Sequence, residues 1–137
     1  MKDVIINIKS TQVSDDNEDT IEFVTDGRMF EKDGKSLLCY DEGEMLGVPG
    51  VTTHVRIEDK KVVIQRSGGL NSRLVVEKEK RNLCCYETEH GGIMLGVFGE
   101  VIRNNIKDDG SLLVRYTLDV NCEFLSRNEI ELKIREA

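Results

Sequence analysis

A chain with one alanine against 14 valines, 11 isoleucines and 7 threonines is written for strands and has little from which to build helices. β-Branched side chains lose rotamer freedom in a helix and pack well on a pleated surface, whereas alanine is the strongest helix former. A protein made only of strands must solve one problem. Each half-buried strand presents an apolar face, and with no helical layer to cover it the sheet has to fold over or close on itself. The apolar faces are plain in the last third of the chain. Leu112, Val114, Tyr116, Leu118 and Val120 alternate against Arg115, Thr117 and Asp119, and Ile130, Leu132 and Ile134 alternate against Glu129, Glu131, Lys133 and Arg135.

The same period of two runs back to the N-terminus. Val4, Ile6 and Ile8 form one face of a first strand, and Ile21 with Phe23 one face of a second. The acidic segment 14–19 between them reads as a mobile polar hairpin loop. Gly27 reads as a bend or bulge, and Asp33-Gly34 is a strong two-residue hairpin signal leading to a strand over 36–41. Further strands are expected over 51–57, 62–67, 70–77, 83–88 and 93–102, each after a Gly-rich or charged turn. Only 101–106 has helical spacing, and Asn104-Asn105 after Gly99 makes a helix there improbable. Ser126-Arg127-Asn128 is the expected turn between the last two strands. Local links throughout predict an all-β fold, a single antiparallel up-and-down β-barrel of about 8–10 strands over residues 1–137, closed with the help of the first strand. A two-sheet sandwich is the competitor, disfavoured because its crossovers need longer connections. Val4, Ile6, Ile8, Leu112, Val114, Tyr116, Leu118, Ile130, Leu132 and Ile134 should share one core.

With 39% apolar and 33% charged residues the composition is globular. A net charge of −7 opposes nucleic-acid binding, and the nearest basic cluster, Lys78 to Arg81, is interleaved with Glu79. No apolar run approaches the length of a membrane span, and the first nine residues lack a signal-type apolar region, so no membrane partner and a cytoplasmic location are expected. In that compartment Cys39, Cys84, Cys85 and Cys122 should be free thiols. His54, His90, Cys84 and Cys85 lack metal-ligand spacing, and adjacent Cys84 and Cys85 should point to opposite faces of a strand. Segment 14–19 lacks the Gly and terminal Glu of a calcium loop. Gly34-Lys35-Ser36 has Met29 where a phosphate loop needs glycine. No metal or other cofactor is expected, and the pattern fixes no oligomeric state.

Two residues stand out against these strands. Arg66 follows Val62 and Ile64 in alternation, so it either points inward with them or, if Val63 and Gln65 are the inward set, is ordinary surface. Tyr116 shares the apolar face of its strand, and its hydroxyl needs a partner inside.

Tyr40-Asp41-Glu42, Gly47 with Thr52-Thr53, Gln65-Arg66-Ser67-Gly68, Asn71-Ser72-Arg73-Leu74-Val75, Tyr86-Glu87-Thr88 with Gly91-Gly92, and the Tyr116 strand together resemble the YwiB-like proteins, an uncharacterised family of small bacterial proteins found mainly in Firmicutes. The resemblance covers nearly the whole chain and is most specific at Arg66-Ser67-Gly68 and Tyr86-Glu87-Thr88. Glu89 stands where the family commonly has proline. The resemblance implies a lipocalin-like, calycin-type β-barrel and brings no catalytic residues with it. A lumen lined by aliphatic side chains with a few polar anchors suits a non-enzymatic barrel that binds a small amphipathic or anionic ligand. The candidate contacts are Arg66, Tyr116, Glu42, Tyr86 and Glu87. The alternatives are a structural or protein-interaction barrel with a filled core, and an enzyme in which Arg66 holds an anionic group while Glu42 or Glu87 acts as acid or base.

Overall fold

The computed structural model describes residues 2–41, 51–68, 71–88 and 91–137, and of 86–88 the backbone alone. Ten strands follow one another: β1 (Lys2–Ser14), β2 (Asn17–Lys32), β3 (Lys35–Asp41), β4 (Thr52–Ile57), β5 (Lys61–Ser67), β6 (Ser72–Glu77), β7 (Arg81–Thr88), β8 (Gly91–Asn105), β9 (Ser111–Val120) and β10 (Glu123–Glu136), with one helical turn, α1 (Ile106–Asp109), before β9. Every strand pairs antiparallel with its neighbours in the chain, and β1 pairs with β10 to close the barrel. The all-β, up-and-down expectation holds, and so does closure by the first strand.

The turns show where local chemistry was legible. Asp33 and Gly34 both take positive φ, 53° and 77°, the twist a two-residue hairpin requires. The acidic segment is no loop: β1 and β2 pair through Ser14–Asn17, leaving Asp15 and Asp16 as a tight turn, with Asp15 at φ 50°. A short polar side chain tolerates that conformation, so the strands stay paired to their tips. Gly27 is no bulge either. It stands in regular register between Val4 and Tyr40, where a Cβ would lie 2.5 Å from Ile6 Cδ1 and 2.8 Å from the Cys39 carbonyl oxygen.

One further expectation is corrected. Ser126-Arg127-Asn128 is not the last turn but the interior of β10; Asn121 and Cys122, at φ 54° and 68°, make the turn. Ser126 and Asn128 are both buried, and Asn128 Nδ2 donates to Ser126 Oγ at 3.0 Å. Two residues with turn-forming side chains thus satisfy each other inside a strand. As expected, 101–105 form no helix; they complete β8, and the single turn α1 follows. Gly110 ends it at φ 75°, its N–H donating to the Ile106 carbonyl at 3.2 Å, while the Gly110 carbonyl accepts from Ile134 N–H at 2.8 Å.

The inward positions form one core. Val4, Ile6, Ile8, Leu112, Val114, Tyr116, Leu132 and Ile134 are buried in it, with Leu118 and Ile130 packed against it half-buried. Cys84 is buried and Cys85 exposed, the opposite faces expected of adjacent strand residues; all four cysteines are unpaired in the structure.

Among the described residues, β6 and β7 meet through one register pair, Ser72–Tyr86, and through the Glu77–Lys80 bridge at their turn. Between those pairs β6 has residues 73–76 and β7 has 81–85, one more, so the ladder cannot stay in step. The Val75 N–H donates to Cys84 Sγ at 3.3 Å instead of to a carbonyl. Sulfur is a weak acceptor, which makes this the loosest seam of the wall. Amide exchange should therefore be faster at Val75 than at Ile6, whose strand has full ladders on both sides, by about tenfold or more. Equal protection would contradict the seam. Ile6, 0% exposed, and Val24, 62% exposed, test the strand faces. Ile6→Ala should cost about 2–5 kcal/mol in denaturant unfolding, and Val24→Ala no more than about 0.5 kcal/mol.

Candidate functional site

β5 decides the question left open by the Val-Val-Ile-Gln-Arg-Ser pattern. Val62 and Ile64 are buried toward the lumen, Gln65 is exposed, and Arg66 follows them inward, half-buried. Arg66 lines a lumenal cavity of about 170 Å³ whose walls are Val55, Val62 and Ile64 on one side and Leu112, Val114, Ile130 and Leu132 on the other, with Ile8 and Phe23 between. The polar groups at its edge come from Arg66, Tyr40 and Ser10. At the barrel end the stem of an arginine can lie along apolar side chains while its head keeps polar company.

The strand registers put Arg66 in a row of polar residues. Tyr40 stands opposite Thr53, Thr53 opposite Arg66, Arg66 opposite Ser72, and Ser72 opposite Tyr86. Five neighbouring strands thus contribute one polar residue each at the same level. Tyr40 and Thr53 are buried, and neither they nor Arg66 lack an interaction partner. Tyr40, Thr53 and Ser72 are site-level residues that strand alternation alone does not single out. The signal is register, Tyr40 with Thr53 between β3 and β4 and Thr53 with Arg66 between β4 and β5, and no single strand or local turn carries it.

Tyr116 is inward and buried as expected, but it does not line the cavity. It stands opposite Asn128 and Gly99, next to the Asn128–Ser126 pair, one step along β9 from the cavity wall at Val114. Of the other expected contacts, Tyr86 is placed by its backbone in the Arg66 row, and Glu87 is the next residue of β7, opposite Gly92. Glu42 lies outside the described residues, as do Gly47, Glu89 and His90.

A family described as a domain of unknown function, DUF1934, matches residues 6–132. The chain belongs to this family. A Bacillus subtilis (strain 168) relative, described as the uncharacterized β-barrel protein YwiB, is 28% identical over 123 residues, 88% of this chain and 84% of that protein. The crystal structure of the ywiB protein from Bacillus subtilis superposes with a TM-score of 0.74 at 22% identity, covering 96% of this chain and 91% of that one. The resemblance to YwiB-like proteins is thereby established, and the YwiB crystal structure shares this fold. Among the described residues no group of three or more His, Cys, Asp or Glu could hold a metal ion, and no helix is long and apolar enough to cross a membrane.

A bidentate ion pair of the wall lies outside the lumen. Arg81 grips both carboxylate oxygens of Asp119, Nε to Oδ2 at 2.9 Å and Nη2 to Oδ1 at 2.6 Å. The Arg81 hydrogen bonds, aided by the Cys122 N–H at 3.1 Å, hold the Asp119 carboxyl below the usual aspartate range against the opposing effect of burial. A carboxyl with a depressed folded pKa stabilises the fold above the unfolded aspartate pKa, and that contribution disappears as pH falls through the folded value. Asp119→Asn should therefore remove part of the loss of stability seen between about pH 5 and about pH 2 in urea titrations. An acid limb identical to wild type would count against the pair.

Proposed function

We propose that the protein is a non-enzymatic, lipocalin-like barrel that binds a small amphipathic molecule in its lumen, with the apolar part in the cavity and a polar or anionic end at Arg66. The observation that carries this reading is the cavity itself: about 170 Å³, walled by aliphatic and aromatic side chains, with one guanidinium at its edge. A dry apolar cavity of about 150 Å³ accommodates a benzene-sized molecule, so the apolar part of the ligand is of that order, well below the usual volumes for drug-sized ligands. Arg66 supplies fixed donors suited to a carboxylate or phosphate oxygen, and the hydroxyls of Tyr40 and Ser10 can complete its coordination. What supports the filled-core alternative is that Val76, Cys84, Leu95 and Val97 are buried and line no part of this cavity.

Native mass spectrometry of protein purified from its own cells should show a retained small molecule, and thermal-shift titration with short aliphatic and aromatic carboxylates should raise the melting temperature. Arg66→Met should keep the fold and abolish the response to the anions, whereas Val62→Phe should block apolar and anionic compounds alike by filling the cavity. Empty protein in every preparation, together with no thermal response in the wild type, would overturn the reading.

A further inference from the structure

Exposure changes along the lumenal cavity in one direction. On β5 it rises from Val62, 1% exposed, through Ile64 to the half-buried Arg66. Leu132, Ile8 and Phe23 stand in one row across β10, β1 and β2, and Ile130, Ser10 and Ile21 stand in the next inward-facing row. From the first row to the second, the buried Leu132 and Ile8 give way to the half-buried Ile130 and Ser10, and the half-buried Phe23 gives way to Ile21, 56% exposed. Odd-numbered strands of an up-and-down barrel run one way and even-numbered strands the other. Residue number rises toward the exposed side on β1 and β5 and falls toward it on β2 and β10, so all four strands mark the same end of the barrel. The cavity is therefore blind. Its floor is Val55, Val62, Leu112 and Leu132, each at most 3% exposed, and its mouth carries Arg66, Ser10 and Ile21.

We infer, resting on the lumenal-binding reading above, that the ligand is an aliphatic monocarboxylate with a tail of about six carbons, held tail-first with its carboxylate at the mouth. Volume and depth agree on the length. The cavity of about 170 Å³ is close to the roughly 150 Å³ that takes a six-carbon ring. From Val62 to Arg66 is about 13 Å along β5, or about 10 Å along the axis of a barrel whose strands tilt by about 40°, and a six-carbon tail with its carboxylate fits that depth at about 1.3 Å per bond. The floor decides the character of the tail, because branched aliphatic side chains offer no polar atom to hold water or a second head group. The head is a carboxylate, which the guanidinium fork matches with two parallel hydrogen bonds. Among the described residues the lining has no second cation to balance the further charge of a phosphate monoester. Arg66 has an interaction in the wall and five N–H donors in total, enough to serve that contact and a head group together. Ile21, a large apolar side chain exposed at the lip, is then covered by the carbons next to the carboxylate.

Calorimetric titration of the full chain with straight-chain carboxylates from butanoate to dodecanoate tests this. Affinity should rise about fourfold per added methylene as far as heptanoate and then stop rising, because further carbons find no space on the floor. Heptanedioate, which would set a second carboxylate on that dry floor, should bind at least about a hundredfold more weakly than heptanoate. Val62→Ala deepens the floor and should move the best chain to octanoate or nonanoate. Ile21→Ala acts at the mouth, so it should weaken every length by the same factor and leave heptanoate the best. Should Val62→Ala fail to fold by its far-UV spectrum, the wild-type comparison of heptanoate with heptanedioate still decides the orientation. Binding with no dependence on chain length, heptanedioate held as tightly as heptanoate, alkyl phosphates preferred to carboxylates, or a best length moved by Ile21→Ala and not by Val62→Ala would each overturn the inference and leave the lumenal reading standing. No binding of any apolar or anionic compound would overturn both.

Discussion

The pairing of the first strand with the last holds the whole architecture. Ten register pairs, from Val4–Glu136 to Val13–Arg127, join β1 to β10. Without them the sheet would have two free edges with unpaired backbone groups and an inner face open to water. The register of this contact is set by side chains. Ile6 meets Ile134 and Ile8 meets Leu132 on the inside, while Lys9 meets Glu131 on the outside. A slip of one residue would carry Glu131 and Lys133 into the lumen, so the hydrophobic pattern enforces the closure. Because the contact joins the two ends of the chain, its loop-closure entropy is the largest in the molecule, and folding should be slow for a protein of this size.

Closure also creates the lumenal cavity. Leu112 and Val114 of β9, with Ile130 and Leu132 of β10, face Val62, Ile64 and Arg66 of β5 across the lumen only because the sheet has come round on itself. The Tyr40–Thr53–Arg66–Ser72–Tyr86 row depends on the same registers, one strand at a time. The barrel therefore has two different interiors: a region beneath β6 to β8 occupied by buried side chains, and a region between β5 and β9–β10 with space and a guanidinium.

The wall is uneven as well. On the long β1–β2 hairpin the ladder runs unbroken from Lys2–Met29 to Ser14–Asn17, whereas between β6 and β7 a residue count of four against five breaks it. Bulges at Phe124/Ser126 and Gly99/Val101 bend β10 and β8. Such irregularities let a closed sheet curve tightly without losing the inward set of apolar residues. Glycine serves the same wall where atoms crowd: Gly27 beside Ile6 and the Cys39 carbonyl, Gly96 beneath the Arg81 guanidinium.

What the sequence determined by itself was the class of fold and the order of its parts. β-Branched composition, alternation and the Asp33-Gly34 turn are local properties, and each strand's apolar face could be read from its own residues. The resemblance at Arg66-Ser67-Gly68 and Tyr86-Glu87-Thr88 was equally legible, and it led to the family. Tertiary structure decided the rest. Whether Arg66 faced in was undecidable from β5 alone, because Val62 and Val63 are both aliphatic and both buried; pairing with β4 and β6 settled it. Ser126 and Asn128 read as a turn because their side chains can satisfy a turn, and only burial against the core showed them satisfying each other inside a strand. Tyr116 was read correctly as buried, yet its level in the barrel depended on β9 being staggered against β5, a relation that no single strand encodes. Alternation within one strand fixes which side a residue faces; its height and its neighbours belong to the closed sheet.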